Sequence, residues 1–132
     1  TVLVNVIPTN DPAKMSSEDQ TGKIFENPGT VVTQEGDDYI LDFTSMLSSD
    51  GRFASGMYTA PASRFEVNEP YGVDEFMYFL EGGVTLTSSD GTVTETEAGD
   101  AVTIPKEWTG VWETDGYRKI WVIYSDDGSA LE

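Results

Sequence analysis

Asp74 and Glu75 sit side by side at the head of the run Phe76-Met77-Tyr78-Phe79-Leu80, which stops at Glu81-Gly82-Gly83. This pattern reads as a strand with its charge at the mouth and its apolar length in a core. Alternation sends Asp74 to the opposite face from Glu75 and outward. Glu69 adds a nearby carboxylate, but Glu69, Asp74 and Glu75 lack the spaced ligand ladder of a calcium loop and alternate in direction, so no metal is expected there. Lys119 could form a Schiff base, on residue type alone. No serine, histidine and acid set exists, because the chain has no histidine, and triad hydrolysis is excluded. Gly82-Gly83 has neither the length nor the following lysine of a phosphate loop.

Composition narrows the chemistry further. Without cysteine there is no disulfide and no thiol nucleophile; without histidine the commonest general base and the commonest nitrogen ligand are missing. Seven basic residues against 24 acidic ones give a net charge of -17. Such a surface repels phosphate, so nucleic acid and anionic membranes are poor partners. It suits solubility in a saline or acidic-proteome cytoplasm, or the steering of a cationic substrate. No apolar run reaches the length of a membrane span and the start has no signal-peptide pattern, so a cytoplasmic location is expected. At 132 residues the chain fits one domain.

The elements that must position these groups are short strands. Residues 2–7 read as a strand closed by Pro8, and residues 8–30 as a long connection. Further strands are expected at 39–43, at 52–59 until Ala60-Pro61 breaks it, and from Ser63 to Val67. The central strand is followed by a hairpin, 84–87 with 92–97, turned at Asp90-Gly91. Then come 101–104, 110–113 and 118–124, the last two separated by a Thr114-Asp115-Gly116 turn. No amphipathic helix longer than a turn or two is expected, Thr44–Ser49 being the best candidate, and the tail from Ser125 is expected to fray. Many short strands at this spacing mean an all-β barrel or double sheet.

Two glycine-led units then carry a resemblance. Glu75 and Gly82 keep the glutamate-to-glycine spacing of the first cupin motif, although Asn68–Tyr71 holds no histidine. Gly99 and Pro105 match the second motif, with Gly110 at the position of its histidine. DEFMYFLEG, AGDAVTIP and GVWETDGYRK look like the ureidoglycine aminohydrolase-like cupins, a group that also resembles ethanolamine-utilisation cupins. The resemblance implies an all-β, single-domain, RmlC-like double-stranded β-helix barrel of jelly-roll type over residues 50–124. Residues 1–49 would supply an N-terminal strand and connection packed on the barrel or on a dimer partner, and 125–132 a flexible acidic tail. A homodimer and a cavity inside the barrel are implied as well. The ureidoglycine enzymes hold manganese with histidines; this chain has none, so neither metal nor other cofactor is expected.

The same resemblance assigns directions to side chains. Glu75 falls at the family's metal-binding glutamate and should point inward, where an apolar cavity would raise its pKa toward the range of a general acid or base. Met77 and Phe79 share its parity and should line the cavity. Tyr71 and Glu69 lie near the lost histidines and could reach inward as donor or acid. Trp112 shares the parity of Gly110; a small residue beside an indole would leave room for a flat ligand and give it a platform. On the last strand Lys119 and Trp121 share one face, Arg118 and Ile120 the other, with the inner face undecided. Surface placement is the ordinary expectation for Lys119 and Arg64, yet an inward one would be the natural partner of Glu75 or of a substrate carboxylate.

The chain is therefore expected to bind a small-molecule ligand. It could be a metal-independent acid/base enzyme, an isomerase, epimerase or dehydratase acting through Glu75 with Tyr71 or Lys119 on a polar metabolite over Trp112. It could equally be a non-catalytic binding module, a structural barrel filled by its own side chains, or a ureidoglycine aminohydrolase-like hydrolase.

Overall fold

A computed structural model describes residues 10–131; the strand expected at residues 2–7 lies outside them. Eight strands follow two short 3-10 turns, Asp19–Thr21 and Lys23–Glu26. They are β1 (Val31–Glu35), β2 (Asp38–Leu47), β3 (Phe53–Val67), β4 (Asp74–Gly82), β5 (Thr85–Ser88), β6 (Val93–Glu95), β7 (Ala101–Ile104) and β8 (Gly110–Tyr124). All paired strands are antiparallel.

The sheet runs β1-β2-β3-β8-β4-β7, with β5 paired to β8 and β6 to β5. Among the described residues no ladder joins β7 back to β1 or β6, so the expected closed jelly-roll barrel is not formed; the sheet is open. The reason lies in β8. One edge of it pairs with β4 along Tyr117–Tyr124 and with β5 along Gly110–Glu113. Its other edge pairs with β3 throughout. The sheet therefore forks at β8 into a β4-β7 branch and a β5-β6 branch, whereas closure would require every strand to have two neighbours.

Two expected breaks are absent. Pro61 and Gly116 lie opposite each other in the β3–β8 ladder, and both strands run through them without a register shift. β3 has left its pairing with β2 after Thr59, so Pro61 sits on a free edge where a missing N–H costs nothing. Thr44–Ser49, the best candidate for a turn or two of helix, instead supplies the end of β2 up to Leu47, bulged between Thr44 and Met46 and paired with Ala54–Gly56. Cross-strand hydrogen bonding overrides a weak local preference there. The β5–β6 hairpin turns at Asp90-Gly91, with Asp90 Oδ1 accepting the Thr92 N–H at 2.9 Å.

Met77, Phe79, Val84, Leu86, Ile104, Trp112 and Tyr117 form the main core, where the two branches face each other. A smaller cluster gathers Ala54, Trp121 and Ala130. Ala130 is drawn in by its N–H bond to the Gly51 carbonyl, and Ser125 is buried with its N–H on the Arg52 carbonyl. The segment after β8 thus lies against the start of β3.

Candidate functional site: an aromatic cavity with a buried ion pair

Alternation along β4 buries Glu75, Met77 and Phe79 and exposes Phe76 and Tyr78. Along β8 the same rule buries Tyr117, Lys119 and Trp121, which settles the inner face of that strand. Register then brings distant residues into rows. Asp42, Tyr58, Lys119 and Phe79 stand opposite one another across β2, β3, β8 and β4, and Thr44, Gly56, Trp121 and Met77 form the next row. Gly56 is what lets the indole of Trp121 lie down: a Cβ there would come 2.6 Å from Trp121 Cζ2 and 2.1 Å from the Phe43 carbonyl oxygen.

These rows form one wall of a cavity of about 530 Å³. Tyr58, Phe65, Tyr71, Trp112, Tyr117 and Trp121 supply its aromatic lining, and Asp42, Glu75 and Lys119 its inner charges. Lys119 Nζ donates to Glu75 Oε2 at 2.7 Å, and Tyr71 Oη donates to Glu75 Oε1 at 2.6 Å. The ammonium also lies 5.1 Å from the ring centre of Tyr58, 5.3 Å from that of Trp112 and 5.5 Å from that of Tyr117, within cation–π range. Phe65 stacks on Trp112 at 5.5 Å and 18°. Tyr71 is held from behind, its N–H on the Trp108 carbonyl and its ring edge-on to the Trp108 indole.

Trp121 Nε1 donates to Asp42 Oδ1 at 3.2 Å. Burial pushes the Asp42 carboxyl up to about 6; the Trp121 bond and the charge of Lys119 oppose that, and the charge of Glu75 adds to it. The hydroxyls of Tyr58, Tyr71 and Tyr117 are all pushed up by burial first, so they stay protonated. For Tyr71, Glu75's negative charge is the second cause.

Glu75, Tyr71 and Lys119 are thus brought together, and Trp112 and Trp121 line the same cavity. Lys119 is buried, contrary to the surface placement expected of a lysine. Met77 and Phe79 do not line the cavity but pack in the core behind it, with Met77 Sδ 3.2 Å from Lys119 Nζ. Arg64 stands at the rim, exposed, its guanidinium 3.8 Å from Glu66 and 4.0 Å from Glu113. Glu69 is exposed and does not enter. Nor does Gly110 leave room for a ligand: a Cβ on it would meet the Thr87 carbonyl at 2.3 Å and the Trp108 ring at 2.7 Å. That glycine serves the close approach of β5 and Trp108 to β8. Asp42, Tyr58 and Tyr117 carry no local sequence signal; what marks them is their place in the cross-strand ladders, which needs the register.

The metal-binding role of the family's glutamate does not fit these residues. Both oxygens of Glu75 are taken by Lys119 and Tyr71, and among the described residues no group of three or more His, Cys, Asp or Glu could hold an ion. A second depression of similar volume, beside Gly82-Gly83 and Thr114–Gly116, has no aromatic lining and none of these groups.

Residues 47–120 match the model of the EutQ-like cupin domain. The chain belongs to the EutQ-like cupins. The EutQ protein of Clostridium difficile superposes with a TM-score of 0.58 at 22% identity, over 76% of this chain and 84% of that one. A putative ethanolamine utilization protein Q from Salmonella typhimurium gives 0.55 at 17%, over 78% and 95%. A Rhizobium leguminosarum protein of unknown function gives 0.59 at 22%, over 87% and 98%. At these identities the likeness concerns the fold. No curated protein matches this EutQ-like cupin. No helix among its described residues is long and apolar enough to cross a membrane.

Proposed function

We propose that this EutQ-like cupin binds a small polar molecule in the aromatic cavity and does so with an internal cation, the Lys119 ammonium, at the place where metal-holding cupins present a glutamate to their ion. One observation carries the reading: Lys119 Nζ is 2.7 Å from Glu75 Oε2, on the wall of an open cavity of about 530 Å³. The volume suits a small ligand, and a few fixed polar groups among ring faces are what orients one. Glu75, with both oxygens engaged, is a fixed acceptor that positions Lys119 and Tyr71. The stacked Phe65–Trp112 pair is the platform for an extended or flat ligand.

The open space weighs against a structural barrel filled by its own side chains, since Met77 and Phe79 stay out of it. A metal-independent acid/base enzyme is the second reading, and Asp42 favours it. A carboxyl at about 6 is close to working pH and can take or give a proton. In that reading Asp42 carries the proton and Glu75 is a positioning residue. A ureidoglycine aminohydrolase-like reaction has no support from these groups.

Crystals soaked with a mixture of small polar fragments test the binding reading. Density is expected between Trp112 and Trp121, within reach of Lys119. Fragments bound only outside the cavity, with its rings collapsed onto one another, would overturn it.

A further inference from the structure

The cavity's charges do not balance, and the imbalance has a position. Glu35, Asp42 and Glu75 line it on the acidic side, Arg64 and Lys119 on the basic side. Lys119 is spent on Glu75. Arg64 is turned toward Glu66 and Glu113 at the surface. Asp42 and Glu35 therefore have no ion-pair partner among the described residues; Glu35 is exposed, and Asp42 is the more buried of the two. Its Oδ1 takes the Trp121 indole N–H, and its Oδ2 takes no hydrogen bond from any described group. An oxygen that takes no bond from the protein and belongs to a partly buried carboxylate on the cavity wall is open to a donor or a cation that enters.

What surrounds that oxygen narrows the choice. Tyr58 is Asp42's cross-strand partner, and Trp121 touches the carboxylate directly. Aromatic faces attract cations and not anions, and this cavity already shows it: Lys119 Nζ lies between 5.1 and 5.5 Å from three ring centres. The chain's net charge of -17 draws cations in from solution and repels anions. An anionic ligand would meet a Lys119 already engaged by Glu75, with the carboxylates of Glu35 and Asp42 on the same lining to repel it.

We propose that the cavity takes a small organic ammonium ion, its charge on the free oxygen of Asp42 and its carbon skeleton against Trp121 and Tyr58. This rests on the small-molecule reading above and names the class of ligand. Lys119 stays on Glu75 in the complex, its charge answered there by the carboxylate.

Three probes of one length separate charge from shape: propylammonium chloride, 1-propanol and sodium propionate, each titrated at constant ionic strength. The indole N–H resonances of Trp121 and Trp112 report on the cavity, and that of Trp108, which lies outside its lining, is the control. The expected result is saturable movement of the Trp121 resonance with propylammonium, at least tenfold tighter than with propanol or propionate. Asp42→Asn, which keeps the shape and removes the charge, should abolish that preference. Propanol or propionate binding as tightly as propylammonium would overturn the ammonium proposal and leave the cavity a ligand site. No movement with any probe would overturn both. The comparison among probes on the unaltered protein stands even where the variant fails to fold.

Discussion

Lys119 Nζ lies 2.7 Å from Glu75 Oε2, with both side chains only 6% exposed. A cation and an anion removed from water together are held by each other and by what else they touch, here Tyr71 on the carboxylate and three ring faces around the ammonium. The pair is costly to desolvate and more costly to break.

Removing one partner should therefore do more damage than removing both. Lys119→Met leaves Glu75 buried without its cation and is expected to cost about 3–5 kcal/mol in chemical denaturation. Lys119→Met combined with Glu75→Leu should recover most of that loss. Equal destabilisation by the single and the double variant would show that the two charges do not depend on each other.

Asp42 gives stability a defined pH dependence. Its carboxyl is raised from 3.8 to about 6 in the folded chain, so between those values the folded state binds more protons than the unfolded one. Its contribution is then fully present below pH 4 and is lost as pH rises to 6 and beyond, by on the order of 2–3 kcal/mol. The groups that act on it are Trp121 and Lys119, which favour the ionised form, and Glu75, which opposes it. Exposed Asp127, held down to about 2 by the Ser125 and Ser129 hydroxyls, works in the opposite sense below pH 4. Asp42→Asn should flatten the stability curve between pH 4 and 6 and leave the more acidic limb alone. An unchanged slope in that window would contradict the burial of this carboxyl.

Gly110→Ala separates the close approach of β5 from the ligand space that the cupin resemblance suggested. With the Thr87 carbonyl 2.3 Å from the added methyl, the β5–β8 ladder must open, at a cost of about 1–3 kcal/mol or more. A midpoint of unfolding equal to that of the parent chain would mean the position is roomy after all.

How much of this was legible in the sequence varies by residue. β4 was readable from its apolar run between an acidic pair and a glycine stop, and Glu75's direction from the cupin resemblance that its spacing to Gly82 carries. The burial of Lys119 was not, because β8 carries a lysine and a tryptophan on one face against an arginine and an isoleucine on the other, and hydrophobicity does not choose between them. Asp42 and Tyr58 meet Lys119 only through the registers of β2–β3 and β3–β8, which no local pattern encodes. Pro61 and Gly116 look like breakers singly; paired with each other, on an edge that β2 has already left, they interrupt nothing. Closure failed for a related reason. Motif spacing identifies strands, whereas closure depends on which edges they use, and β4 and β5 share one edge of β8.

The central claim is that Lys119 supplies the cation at Glu75. Elemental analysis of the natively purified protein, free of affinity tags and chelators, tests it most directly, with Glu75→Gln prepared alongside. The expected result is no stoichiometric manganese, iron, nickel, zinc, magnesium or calcium in either preparation. One tightly held ion per chain in the parent protein, lost in Glu75→Gln, would contradict it.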